Sequence, residues 1–169
     1  MSTAVTELSP DAAPTTVSGA ELRSAAGMFP SGVTVVTTRA AGVDYGMTVS
    51  AFASLSLEPA MVLVSIESTS HTLPHLAPGC PVAVSVLSDG QLEHAVQFAR
   101  HVPDRFAGVP LRREGDAGVP VLSEAAAFFV GTVASWADGG DHTIVTIFVE
   151  ECHVDVTREP LRYHQGRLG

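Results

Sequence analysis

Gly46-Met-Thr-Val-Ser-Ala-Phe-Ala-Ser-Leu-Ser-Leu-Glu-Pro59 is the stretch on which the fold turns. Thr48, Ser50, Ser54 and Ser56 alternate with Val49, Ala51, Leu55 and Leu57 through most of it. A period of two puts the hydroxyls on one side of a β-strand and the apolar groups on the other. Such a strand suits a flat, polar-edged ligand laid against its hydroxyl face, and it equally suits a sheet edge facing water. Glu58-Pro59 stops it.

The flanks read as more strand. Gly32–Arg39 is rich in β-branched residues, and Ala40–Tyr45 forms a hairpin loop into the Gly46 stretch. Ala60–Glu67 and Pro81–Leu87 are nearly continuous apolar runs, expected at the centre of a sheet. Two more strands close the chain, over about Ala127–Trp136 and Thr143–Val156, the second broken near Glu150-Glu151. Ser18-Gly-Ala-Glu21 and Ser88-Asp-Gly-Gln91 are capping boxes. They predict a helix from about Gly19 to Gly27 and another that buries Leu92, Val96 and Ala99. A short helix is expected after Thr72, ending near Pro78-Gly79. Gly108–Val121 reads as an irregular connection, and Leu161–Gly169 as a polar tail. Residues 1–17 lack an apolar period and are expected to be a disordered tail before a domain over 18–169. Short helices among mostly antiparallel strands point to a mainly β closed barrel.

Composition narrows the function. The 169 residues are 46% hydrophobic and only 16% charged, so part of the surface is expected to be covered in a homo-oligomer. Nine basic residues against 18 acidic ones give a net charge of −9, which disfavours nucleic acid and anionic membrane as partners. No apolar run is long enough for a membrane span, and no secretory leader is visible, so the chain is expected in the cytoplasm with Cys80 and Cys152 as free thiols. Neither GxGxxG after a strand nor GxxxxGK[ST] occurs, which disfavours the common nucleotide folds.

Two knots hold candidate chemistry. Ser68-Thr-Ser-His-Thr72 gathers hydroxyls before an expected helix start, where an anion is welcome, although Ser70 or Thr72 could simply cap that helix. His71 and His75 are four apart, but no third ligand is obvious and no metal is expected. Gly139-Gly-Asp-His-Thr143 places Asp141 beside His142 at a strand start. Asp141 either orients the imidazole or forms a plain turn.

In their order, several motifs resemble the flavin reductase-like family. They are Met28-Phe-Pro-Ser-Gly-Val-Thr-Val-Val-Thr-Thr38, the Gly46–Pro59 stretch, Ser70-x-Thr72, Asp104-Arg-Phe-Ala-Gly-Val109, Gly140-Asp-His-Thr143 and Pro160-Leu-Arg-Tyr163 with Gly166. The resemblance implies a six-stranded antiparallel split barrel, homodimeric, acting as an NAD(P)H-dependent reductase that supplies reduced FMN or FAD to a separate oxygenase. It implies a flavin ring along Thr48, Val49, Ser50 and Ala51, with Ser54, Ser65 and Ser85 also in the cofactor site. It sets the flavin phosphate at Ser70 and Thr72 and makes His142 the catalytic residue near the nicotinamide. Ile147 and Phe148 stand where relatives often carry Gly and Glu, and bulk there is expected to reshape the pocket. The alternative is a barrel of this family that no longer reduces flavin and serves as a flavin carrier or as a tailoring enzyme, for example a cyclase, on a small apolar metabolite.

Overall fold

The computed structural model describes residues 16–100, 102 and 104–169. The expected tail therefore lies mostly outside the described residues. The elements are α1 (Gly19–Ala26), β1 (Ser31–Gly32), β2 (Thr34–Ala40), β3 (Val43–Val49), β4 (Phe52–Leu57), β5 (Ala60–Glu67), β6 (Pro81–Val86), α2 (Leu92–Ala99), β7 (Leu111–Glu114), β8 (Val119–Leu122), β9 (Ala127–Gly139), β10 (His142–Val154), β11 (Arg162–His164) and β12 (Arg167–Leu168).

Seven strands form one antiparallel sheet in the order β3-β2-β6-β9-β10-β5-β4. Its two outer strands, β3 and β4, are joined by only Ser50 and Ala51. A flat sheet of this size would hold them roughly 29 Å apart, at about 4.8 Å per strand. The link from Val49 to Phe52 spans at most about 10 Å. The sheet must therefore curl until its edges nearly meet, which makes it a barrel with a split. One face of six strands supplies the interior: Val36, Val49, Val64, Val84, Val133 and Ile147 belong to a single buried cluster.

The main sheet has seven strands where six are expected, and the extra one has a local origin. The Gly46–Pro59 stretch is two strands with a corner at Ser50-Ala51, and the period of two does not survive the corner. A register shift between Ser54 and Ser56 then turns β4 again. As a result Leu55 and Leu57 are 46% and 93% exposed, while Ser56 is half-buried.

Outside the barrel, α2 and the β7–β8 hairpin cover the opposite faces of β2, β6 and β9. Val35, Leu87, Ala95, Phe98 and Leu122 form one cluster there, and Ala83, Val121 and Phe128 belong to another. The face of α2 that packs is Ala95 and Phe98, whereas Leu92 is 42% exposed. Helix α2 starts after a 3-10 turn at Asp89–Gln91, which delays it and rotates its apolar stripe away from the expected one. Gly46 explains the fit. A Cβ built on it would lie 2.9 Å from Phe98 Cε1 and 3.1 Å from Phe106 Cζ, so any larger residue would push the helix off the strand.

Two expected loops are ordered as strands. Leu111–Glu114 and Val119–Leu122 pair as a hairpin that takes in most of the Gly108–Val121 connection and ends one residue past it. The expected polar tail instead folds as β11 and β12, and β11 pairs back onto β1, Ser31 with Tyr163. Four-residue and shorter strands leave too little periodicity to read. Both capping boxes are present, at Ser18 with Glu21 and at Ser88 with Gln91.

Asp44 ties the start of β3 to its surroundings, meeting Arg39 at 2.6 Å and Arg113 of β7 at 2.6 Å. The Arg113 hydrogen bond, with a lesser one from Arg39, holds its carboxyl below the usual carboxylate range despite partial burial. A depressed carboxylate pKa stabilises the fold above the unfolded-state value near 3.8 and loses that contribution as pH falls through the folded value. Asp44→Ala is expected to cost about 1 kcal/mol at neutral pH, a modest figure because both arginines are partly solvated. It should also flatten the loss of stability below about pH 4, as measured by urea titration across pH.

Candidate functional site

Strand β5 and the loop that follows it gather the predicted residues. The Ser65 N–H donates to Ala51 O at 2.9 Å, which fixes the β3–β4 corner against β5. Two residues on, Glu67 pairs with His142 across the β5–β10 ladder. The Ser68 N–H donates to Asp141 O at 3.0 Å, and Ser70 Oγ donates to the sulfur of Met47 on β3 at 3.0 Å. Thus the corner, the Ser68–Thr72 loop and the Asp141-His142 turn all meet along one short segment.

The predicted residues divide by what they can touch. Ser50 and Ala51 are exposed and outside the strands. Both line a cleft of about 740 Å³ under α1, with Met28, Phe29, Tyr163 and Gly166. Thr48 and Ser50 line an adjoining cleft of about 400 Å³, again with Tyr163 and Gly166, so the two form one groove along β3. The Thr48 hydroxyl is spent on Ala95 O at 2.6 Å, leaving its methyl and backbone to the groove. Ser54 is exposed on β4 and Ser65 half-buried on β5.

Two predicted residues are inside the protein. Val49 is 6% exposed and belongs to the barrel interior. Ser85 is fully buried, and its hydroxyl accepts the Leu122 N–H at 3.2 Å, holding the β7–β8 hairpin to β6. Neither lines a groove, and both are supports of the sheet. Ile147, at 1% exposure, is likewise interior and Phe148 faces outward, so their bulk does not reshape these clefts.

Ser70 is half-buried and Thr72 is buried, beside the other end of β3. The expected helix after Thr72 is only a 3-10 turn, Leu73–His75, because Pro74 and Pro78 leave no room for longer hydrogen-bonded runs. A turn this short has no useful dipole, so any anion there depends on hydroxyls and on charge. Thr72 lines a cleft of about 610 Å³ together with Tyr45, Gly46, His71, Arg105 and Phe106. Arg105 is the residue that sequence reading left without a role. Its Nε donates to Arg100 O at 2.9 Å and an Nη1 proton to Gly46 O at 2.8 Å, so the guanidinium is held on the cleft wall. The Asp104-Arg-Phe signature contained the signal, but only the fold brings it beside Thr72.

The loop itself is pinned. The ring of His75 stacks on Tyr45 with centroids 3.6 Å apart, and Trp136 Nε1 donates to Leu76 O at 2.8 Å. The His75 imidazole is thus paired with the Tyr45 ring.

At the turn, Asp141 Oδ1 and His142 Nδ1 are 2.7 Å apart. The His142 hydrogen bond holds the Asp141 carboxyl below its usual range. The His142 side chain is 42% exposed, so its far nitrogen can reach a ligand while Asp141 fixes the ring. Among the described residues no group of three or more His, Cys, Asp and Glu is placed to hold a metal ion.

Comparison with known proteins adds the following. A family model for the flavin reductase like domain matches residues 26–169. A protein of Rhizobium meliloti named "Probable flavin reductase" is 40% identical over 125 residues, 73% of this chain. The match spans only 40% of that relative's own length. The reductase component of a 4-nitrophenol 4-monooxygenase/4-nitrocatechol 2-monooxygenase of Rhodococcus opacus is 37% identical over 152 residues, 89% of this chain and 80% of the relative. Among solved structures, the NADH:FAD oxidoreductase of Streptomyces globisporus, in complex with NAD and FAD fragments, superposes with a TM-score of 0.83 at 34% identity, covering 89% of this chain and 90% of that one.

Proposed function

Since this chain belongs to the flavin reductase-like family, as the match over residues 26–169 shows, we propose that it is an NADH-dependent flavin reductase that supplies reduced flavin to a separate monooxygenase. The observation that carries this reading is the convergence of three parts on β5. They are the groove at Ser50-Ala51, the hydroxyl loop at Ser70 and Thr72, and the ordered Asp141-His142 pair.

The residues present fit a flavin. The groove has apolar walls in Met28 and Phe29, an exposed backbone corner at Ser50-Ala51 and a half-open rim at Tyr163, which suits a flat heteroaromatic ring with polar edges. When bound, the flavin supplies the acceptor for the hydride that NADH gives up. The chain supplies position. Thr48, Ser50 and Ala51 carry the ring, with Ser54 and Ser65 beside the corner, and Ser70 and Thr72 hold the phosphate with Arg105 as the nearby charge. His142, steadied by Asp141, orients the nicotinamide amide or the dinucleotide phosphates so that the two rings lie in stacked contact. The test is NADH oxidation by the purified chain with FMN or FAD added. Turnover with either supports the reading. Flavin binding without turnover would move the protein to the carrier or tailoring alternative.

His142→Ala is expected to raise KM for NADH about tenfold, the worth of one hydrogen bond to a charged or polar ligand. Flavin Kd should change by less than about twofold, since the lost contact acts on the second substrate. Steady-state kinetics beside a melting curve separates this from a structural role, which would lower the melting temperature and leave KM alone.

We further read the protein as a homodimer in the cytoplasm. Leu57, Phe148, Val154 and Val156, on the edge strand and on β10 with the loop after it, are 93%, 44%, 63% and 86% exposed, which is costly for an isolated barrel. Cys80 and Cys152 are unbonded, as a reducing compartment keeps them. A light-scattering mass of two chains is expected at micromolar concentration, and a one-chain mass would remove the subunit contact.

A further inference from the structure

The groove at Ser50-Ala51 is walled by a helix that has little hold on the rest of the chain. Residues 16–26 are exposed throughout, and α1 buries none of its side chains. Even so, Ala20, Arg23 and Ser24 of α1 line the groove of about 740 Å³, and Met28 and Phe29 follow them. We propose that α1 with Met28 and Phe29 is a lid over this groove, and that Gln165 is the positioning residue that latches it. The inference rests on the reading of the groove as the flavin site.

The helix can move as one piece. Ser18 and Glu21 cap it from within: the Ser18 N–H donates to Glu21 Oε2 at 2.9 Å and the Glu21 N–H to Ser18 Oγ at 3.2 Å. An eight-residue helix without packing is marginal in water, so α1 lies at the low-stability end of the fold. Pro30 separates it from β1, and a swing about Phe29-Pro30 leaves the β1–β11 pairing in place.

Gln165 ties the segment down twice. Its N–H donates to Gly27 O at 3.0 Å, and its Nε2 donates to Met28 Sδ at 2.9 Å. Gln165 and Gly166 form the tight turn between β11 and β12, with φ of 51° and 78°. Such a turn takes Asn or Gly at its first position at little cost, and a glutamine fits it worse. The strained residue is thus the one whose side chain reaches Met28, and strain of this kind marks a working contact.

An occupant supplies the drive to close. Met28 and Phe29 are 61% and 79% exposed. A flat ligand beneath them removes part of that apolar surface from water only when the segment is down. It therefore binds the closed state more tightly and shifts the helix toward it.

The test follows hydrogen exchange of the full chain by mass spectrometry, with and without FMN. In the free protein the α1 amides are expected to exchange at least about tenfold faster than those of β6. Saturating FMN should slow α1 about tenfold and change β6 little. Gln165→Gly suits the turn better, so its melting temperature should equal or exceed the parent's. Its α1 should nevertheless exchange about threefold faster, and FMN should bind about three- to tenfold more weakly. Gln165→Asn keeps an amide and the turn but is one methylene short of Met28, and it should match Gln165→Gly. Bound FMN that leaves α1 exchange unchanged would overturn the inference, as would a free chain in which α1 exchanges as slowly as β6. So would a Gln165→Gly protein with the parent's exchange and affinity. A loss of affinity only in step with a lower melting temperature would make Gln165 a plain turn residue and overturn the latch. A parent chain that binds no flavin would overturn the reading of the groove itself, and the lid with it.

Discussion

Gly131→Ala is expected to lower the melting temperature by roughly 10–15 °C, which corresponds to about 4 kcal/mol or more for a domain of this size. Gly131 lies in β9, paired with Val82 of β6 on one side and with Val149 of β10 on the other. The β9–β10 ladder shifts register between Val149 and Glu151, and there the β10 backbone crosses close over Gly131. A Cβ at this position would overlap the Phe148 carbonyl oxygen and crowd Val149 Cα. Both neighbours are main chain in a ladder, so no rotamer change relieves the overlap. Either the bulge moves or the two strands part. The check is thermal unfolding followed by circular dichroism, and a parent-like curve would show that the bulge is free to shift. A side chain at Gly46, by contrast, meets only the rings of Phe98 and Phe106, and Gly46→Ala should cost about 1–3 kcal/mol.

The Ser70→Ala, Thr72→Ala double variant is expected to bind flavin on the order of 100-fold more weakly. Each hydroxyl lost from a phosphate is worth about 1–3 kcal/mol, and the two act on one group, so their losses do not simply add. Trp136 gives a direct signal. It is the single tryptophan, and its indole N–H is bonded to Leu76 O at the far end of the same loop, so flavin quenching of its fluorescence reports occupancy. Thr72 is only 2% exposed, which makes a loss by simple misfolding the rival explanation. Thr72→Ser answers it, since restoring the hydroxyl without the methyl should recover most of the affinity. Parent-like quenching in the double variant would remove the phosphate from this loop.

Most strands were legible because their signals are local. Ala60–Glu67 and Pro81–Val86 are apolar runs, and Ser18 with Glu21 is a capping box whatever the rest of the chain does. The break expected near Glu150-Glu151 is the β9–β10 bulge. The failures share a cause as well. Ser50-Ala51 carries no Gly or Pro, so nothing along the chain marks the corner that splits one strand into two. Leu92, Val96 and Ala99 fit a helical stripe, but the 3-10 turn before Leu92 resets the phase. Arg162 and Tyr163 pair with Gly32 and Ser31, some 130 positions earlier, and no window of sequence shows that. The site follows the same division. The exposed Ser50 and Ala51 and the part-exposed His142 come from hydroxyl runs and an Asp-His pair that are visible as residues, whereas the burial of Thr72 is not. The burial of Ser85 and its bond to the Leu122 N–H are equally invisible along the chain. Arg105 gives no such signal, because its placement depends on the carbonyls of Arg100 and Gly46, which only the fold brings to it.

The pairing of β11 with β1 has a consequence for how the protein is made. Tyr163 and Gly166 form a wall of the groove at Ser50-Ala51. Tyr163 lies on β11, which pairs with Ser31 and Gly32 near the start of the family match at residue 26. A ribosome must therefore deliver residue 163 before the groove has two sides, and loop closure over such a span is slow. Nascent chains can build the hairpin of β2 and β3 early, yet none has both walls of the groove until residues 163–166 are made.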